Sequence, residues 1–257
     1  AMVTCARLGW RARYVGRFGD DARARLARLS LQQDSVDLSA CQEVAAPQPF
    51  SLILVDDDGR RTVLWRRAPT LNMEAAEVAL EVVTSGRVLL VDCHQTAAAT
   101  RAAECARRCG VPTMIDVEQV RPGMEALLAK IDLIITARTF PEAFTGVSGV
   151  GAALAALARR FRPALVCATL GQEGSLALVG GMEIHTPGFR VPVVDTTGAG
   201  DVFRGGFIAG WLAAGARTQA EDVLTYANAV AALRCRGLGA RTAIPRRAEV
   251  EHLLASV

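Results

Sequence analysis

Of the 29 basic side chains in this 257-residue chain, one, Lys130, is a lysine. That scarcity excludes two common ways of holding a nucleotide. A Walker P-loop ends in Gly-Lys-Ser/Thr and a protein kinase needs a lysine on an early strand, whereas Lys130 sits in Leu127-Leu128-Ala129-Lys130-Ile131-Asp132 and fits neither pattern. Any handling of phosphate therefore falls to backbone amides, helix dipoles, arginines or a metal. Basic runs with interleaved aromatics are also missing: aromatics make up 5% of the chain and the net charge is +3, spread along its length. Nucleic acid is not an expected partner. No apolar stretch approaches the roughly 20 residues that cross a bilayer, and Ala1-Met2-Val3-Thr4-Cys5-Ala6-Arg7 lacks the ordered regions of a signal peptide, so a soluble, cytoplasmic protein with no membrane partner is expected. The seven cysteines, Cys5, Cys41, Cys93, Cys105, Cys109, Cys167 and Cys235, form no C-x-x-C pair and read as small apolar fillers in a reducing compartment.

What is present is an alternation of strand-length apolar runs with helix-period stretches, the pattern of an α/β fold with a mostly parallel central sheet in three αβα layers. Strands are expected at Val88–Val91, Pro112–Ile115, Leu133–Ile135 and Ala164–Ala168, and helices at about 97–109, 122–130 and 150–161. Phe50 to Arg67 reads differently. Ser51–Val55 and Thr62–Trp65 flank Asp56-Asp57-Asp58-Gly59-Arg60-Arg61, which predicts a β-hairpin, at a sheet edge or in a small accessory sheet. A second antiparallel pair is expected from Glu173–Val179 and Met182–His185, turning at Gly180-Gly181. One domain spanning 1–257 is the simplest organisation.

The chemistry is concentrated in Val193-Val194-Asp195-Thr196-Thr197-Gly198-Ala199-Gly200-Asp201, which runs into the apolar helix Val202–Leu212. A strand, a glycine-rich turn and a helix start in that order put the amides of Gly198, Ala199 and Gly200 at the positive end of a helix dipole, an anion site. A carboxylate next to such a site is unfavourable unless it has a task. Asp201 is placed to accept the proton of an attacking hydroxyl, while the amides neutralise charge on a transferred phosphoryl group. Other polar residues at strand ends face the ligand crevice of an open sheet: Asp92 and His94 after one strand, Asp116 and Glu118 after the next, and Arg138 and Arg121 in loops at the same edge. Asp92, His94, Asp116 and Arg138 are the candidate substrate contacts.

Asp195-Thr-Thr-Gly-Ala-Gly-Asp201 resembles the signature of the ribokinase-like, or PfkB, carbohydrate kinases. The similarity extends from Ala6-Arg7-Leu8-Gly9 and Gly16-Arg17-Phe18-Gly19-Asp20-Asp21 to Gly239-Ala240-Arg241-Thr242-Ala243-Ile244-Pro245. In hairpin wording it is most similar to the ketohexokinase and deoxysulfofructose kinase branch. The resemblance implies a kinase that uses ATP and Mg²⁺ on a sugar hydroxyl, with Asp201 as base and Gly198 to Gly200 as anion hole. It implies a nucleotide loop at Thr169, Gly171 and Gly174 with Asn228 against the nucleotide. It further implies a monovalent cation such as K⁺ near Asp195, Thr197 and Gly239, and a small β-lid within about 36–67 that closes over substrate and joins two copies in a homodimer. Two departures stand out. Ala137 and Phe140 replace the N-x-x-E that organises Mg²⁺ in many members, with Glu142 out of phase, leaving the Mg²⁺ residues unassigned. The chain also begins just after the place where the family's first strand and its substrate-binding acid are expected. A nucleoside or vitamin kinase on the same fold, or a silent nucleotide- or sugar-binding protein, are the alternative readings.

Overall fold

The structure, a computed structural model, describes residues 1–56, 61–215 and 219–256. These separate into two compact units, Ala1–Trp10 with Glu74–Val257, and Arg11–Met73. The chain opens with α1 (Met2–Arg7) of the larger unit.

The smaller unit follows with β1 (Gly16–Phe18), α2 (Ala22–Gln33), β2 (Cys41–Glu43), β3 (Phe50–Val55) and β4 (Arg61–Arg66). β1 pairs with β2 in parallel, and β3 with β4 in an antiparallel hairpin in the register Leu52↔Leu64 and Ile53↔Val63. The expected hairpin is therefore present; residues 57–60 of its turn lie outside the described residues. Asp21 caps α2 through the amide of Ala24 at 2.9 Å, the ordinary way to satisfy a first-turn N–H.

The larger unit continues through α3 (Leu80–Val83), β5 (Leu89–Asp92), α4 (Thr96–Arg108), β6 (Thr113–Val117), α5 (Met124–Leu128), β7 (Leu133–Ala137), α6 (Phe140–Thr145) and α7 (Val150–Phe161). β8 (Leu165–Thr169), β9 (Ser175–Val179), β10 (Met182–Thr186), α8 (Ala199–Ala214), α9 (Ala220–Arg234) and α10 (Arg247–Ala255) complete it. Its sheet has the order β10-β9-β8-β7-β6-β5, parallel from β5 to β8 and antiparallel across β8-β9-β10.

Side-chain alternation divides this sheet cleanly. Ile115, Val117, Ile134, Val166 and Ala168 point to one face, where they pack with Ala103 of α4, Met124 and Leu127 of α5, and Leu154 and Leu157 of α7. Asp116, Ile135, Cys167 and Ala177 occupy one cross-strand row on the other face, the face that receives Arg204 of α8. A period of two thus places Asp116, between two core residues in sequence, on the opposite side of the sheet from both. No helix among the described residues is long and apolar enough to cross a membrane.

Candidate functional site

The helix start expected at the glycine-rich turn is present, but the strand expected before it is not. Val193 and Val194 are exposed and belong to no strand. The sheet ends at β10, so their backbone pairs elsewhere: the amides of Val194 and Asp195 donate to the carbonyl of Cys235 at 2.8 and 3.2 Å. α8 begins at Ala199, with Gly198 as N-cap at φ +77, a conformation that costs glycine little. Ala199 N–H turns back onto the carbonyl of Thr196 at 3.1 Å. The expected triplet of amides at 198–200 is corrected accordingly, because the left-handed Gly198 folds Ala199 over the turn. The amides of Gly198, Gly200 and Asp201 have no partner among the described residues. Asp201, in the first turn of α8, is solvent-exposed rather than folded into the interior.

Beneath this mouth lies a charge that reading the motif alone missed. Arg204, one turn after Gly200, points back toward the helix start and is completely buried, with Nε 2.7 Å from Oδ1 of Asp116. None of the three guanidinium nitrogens has a hydrogen-bond partner among the described residues, so the contact with Asp116 is an ion pair by proximity alone. A Cβ on Gly200 would lie 2.5 Å from Nη1, so only glycine lets the guanidinium reach this far. Burial pushes Asp116 up to about 7, with Arg204 pulling the other way and the charges of Asp201 and Glu118 adding to the rise. An arginine in the middle of Val202-Phe203-Arg204-Gly205-Gly206-Phe207 was the available signal: a charge inside an apolar run has to be buried with a partner.

Asp92 and Asp116 are register partners at the ends of β5 and β6, as their shared edge suggested. Asp92 accepts the amide of His94 at 2.7 Å, and both side chains are exposed. The guanidinium of Arg138 pairs with Glu173 of the 169–174 turn at 2.5 Å.

In that turn, Thr169 donates its hydroxyl to the carbonyl of Thr136 at 3.3 Å, Gly171 opens a 3₁₀ turn, and His185 meets the carbonyl of Glu173 at 3.0 Å. Gly174 has φ +91, and a Cβ there would stand 2.0 Å from the carbonyl oxygen of Thr186, so the turn closes only with glycine. Asn228 is not a surface amide. It is buried, and its Nδ2 protons go to Ser175 Oγ and to the carbonyl of Thr186, both at 3.1 Å, tying α9 to β9 and β10. Asn228 therefore acts on the turn by positioning the strands behind it. Asn228→Ala strips a donor from two buried acceptors and is expected to cost about 2 kcal/mol in a denaturant titration; a loss below about 0.5 kcal/mol would remove it from this role.

The residues expected around a monovalent cation do converge. Asp195 Oδ1 accepts the amide of Thr197 and Oδ2 that of Gly239, each at 2.8 Å. The space between them is filled by the guanidinium of Arg234, so a bound K⁺ does not fit there. Mg²⁺ finds no ready-made cage either. Ala137 ends β7, Phe140 is buried in the core, and Glu142 accepts the amide of Gly149 at 3.0 Å. The described residues hold no cluster of three or more acidic, histidine or cysteine side chains suited to a metal.

Residues 1–247 match the model of the pfkB family carbohydrate kinases. A fructokinase of Klebsiella pneumoniae is 29% identical over 98% of this chain and 89% of its own length. An ATP-dependent ribose-1-phosphate kinase of Halopiger xanaduensis is 31% identical, covering 89% of this chain and 76% of that protein. Among solved structures, Arabidopsis thaliana ribokinase complexed with ribose and ATP superposes with a TM-score of 0.85 at 25% identity, over 98% of this chain and 85% of that one. The fold, the open amides at the start of α8 and the match over residues 1–247 lead to one assignment: this chain belongs to the pfkB family of carbohydrate kinases, phosphotransferases with an alcohol group as acceptor.

Proposed function

We propose that the protein transfers the γ-phosphoryl group of ATP to a hydroxyl of a ketose-like sugar, with Asp201 as general base and the amides of Gly198, Gly200 and Asp201 as the anion hole. The observation that carries this reading is the exposed Asp201 carboxylate standing in the first turn of α8 beside amides that no protein atom occupies. The amides draw the terminal phosphate to the helix mouth, and the carboxylate takes the proton of the incoming alcohol. Arg204 beneath the mouth adds fixed positive charge in a chain almost devoid of lysine. Mg²⁺, carried in on the nucleotide, supplies charge neutralisation at the phosphates. Thr169, Gly171 and Gly174 form the nucleotide turn, held by Asn228 and by the Arg138–Glu173 pair, while Asp92 and His94 face the acceptor. Relatives named fructokinase and ribose-1-phosphate kinase support a sugar acceptor. Coupled ADP detection with D-fructose, D-ribose, ribose 1-phosphate and adenosine separates the candidates. ADP release above the no-acceptor rate with D-fructose is expected, and release with adenosine alone would replace this reading by a nucleoside kinase.

The filled N-x-x-E positions favour a second reading, a nucleotide-binding protein without turnover. A thermal shift with ATP but no ADP production with any acceptor selects it.

The hairpin supports the homodimer and the lid. Leu52, Leu54 and Leu64 on one face of β3–β4, and Ile53, Val63 and Trp65 on the other, are all exposed, and a lone two-stranded sheet is marginal in water. Leu52→Glu with Leu64→Glu is expected to convert a dimer to a monomer in light scattering. A monomeric wild type, or a double variant that stays dimeric, rules the interface out.

A further inference from the structure

Arg234 closes α9 and is completely buried. Its Nη1 donates to the carbonyl of Asp195, Nη2 to the carbonyl of Gly239 at 2.6 Å, and Nε to the carbonyl of Ala240 at 3.3 Å. Oδ2 of Asp195 lies 3.7 Å from Nη2. Three carbonyl oxygens and a carboxylate converging on one buried positive charge are the hard donor set that an alkali ion also selects. Here those oxygens already accept N–H groups, and a second cation would stand against the guanidinium and be repelled by it.

The cage is joined directly to the helix mouth. Asp195, whose carbonyl and carboxylate form one wall, is followed by Thr196, which receives the amide of Ala199, and then by Gly198, whose Cβ position would stand 3.0 Å from Cβ of Ala240. Fixing Asp195 against Gly239 and Ala240 therefore fixes the turn that presents the open amides. The amides of Thr197 and Gly239 hold the Asp195 carboxyl down at about 2, so the negative wall is ionised at any working pH.

We propose that Arg234 is a permanent internal cation that stands in for a bound monovalent ion, bracing the 195–198 turn against the 239–240 segment, so that the anion site is formed in any salt and the protein needs no K⁺. Removing the guanidinium should uncover the site it fills.

The test is the thermal unfolding midpoint of the protein without nucleotide, in tetramethylammonium chloride exchanged for KCl, NH₄Cl or NaCl at constant ionic strength. The wild-type midpoint is expected to move by less than about 1 °C up to about 100 mM K⁺, since an ion without a site stabilises nothing. Arg234→Ala is expected to fall by on the order of 10 °C, as for loss of one partner of a buried charge pair. About half of that loss or more should return with K⁺, NH₄⁺ or methylguanidinium and not with tetramethylammonium. Arg234→Lys keeps a cation with fewer donors and should lie between the two, insensitive to K⁺, which keeps the test open if the alanine variant does not fold. A wild-type midpoint that climbs several degrees with K⁺ overturns the proposal, as does an Arg234→Ala protein that no cation restores. The inference concerns the same helix mouth as the proposed transfer, but its readout needs no turnover. A negative result here leaves the kinase reading standing, and an inactive kinase leaves this test intact.

Discussion

Replacing Asp201 by Asn is expected to lower kcat by about two orders of magnitude or more while ATP affinity stays nearly unchanged. Asn has almost the same shape, so the helix start and its amides survive; what it lacks is the lone-pair basicity that accepts a proton from the attacking hydroxyl. Affinity should hold or improve slightly, because a negative charge next to the bound phosphates is removed. The split between kcat and binding distinguishes this residue from a structural acid, whose loss would lower both. It is read from initial rates under saturating ATP and from ATP titration by calorimetry. Full turnover in the Asp201→Asn protein would take the residue out of the mechanism. Loss of ATP binding would recast it as part of the nucleotide site.

The second large effect concerns Asp116 and Arg204, and it is asymmetric. Arg204 cannot shed its proton, so Asp116→Asn leaves a fully buried guanidinium without its counter-charge, at a cost of about 3–5 kcal/mol. Arg204→Met is milder near neutrality, because a carboxyl already raised to about 7 by burial can bind a proton and become neutral instead. The pH dependence follows from the direction of that shift. A carboxyl that holds its proton in the folded state above the ordinary value of 3.8 binds more protons folded than unfolded between those limits. Its contribution therefore turns against folding as pH rises from about 4, and the full penalty is present above about 7. Without Arg204 the window extends upward, so Arg204→Met should lose stability most steeply on the alkaline side, while Asp116→Asn should be low throughout and lack this slope. Denaturant midpoints between pH 5 and pH 9 check both. Equal losses in the two variants at pH 6 would mean that the pair does not carry the charge balance assigned to it.

These two sites show where sequence reasoning reached and where it stopped. The exposed place of Asp201 in the first turn of α8 is legible because the pattern is local: a glycine turn, a helix start and a first-turn acid lie within seven residues. The strands β5 to β8 and the helices α4 and α7 were legible for the same reason, since periods of two and 3.6 are written into neighbouring residues. The strand expected at Val193-Val194 is absent because two β-branched residues have strand propensity but no strand to pair with; the carbonyl of Cys235, some forty residues on, takes the amides of Val194 and Asp195. Asn228, expected against a nucleotide, gives its Nδ2 protons to Ser175 and Thr186, a tie between α9 and the strands β9 and β10 that no local pattern announces. Arg138 follows a strand as Asp92 does, and its ion-pair partner Glu173 is supplied by a turn after the next strand.

The sequence by itself determined the α/β alternation, the two hairpins, the glycine-rich helix start at Gly198 and the position of the acid in it. Each of these follows from short-range geometry: hydrogen bonds and side-chain periods that span a few residues. Only the tertiary structure decided which charges stand behind that site. Arg204 and Arg234 lie in apolar helices, and their partners, Asp116, Asp195, Gly239 and Ala240, are supplied by other strands and loops. A buried charge is tolerated only where distant segments bring oxygen atoms to it, and that meeting is fixed by packing rather than by any local pattern.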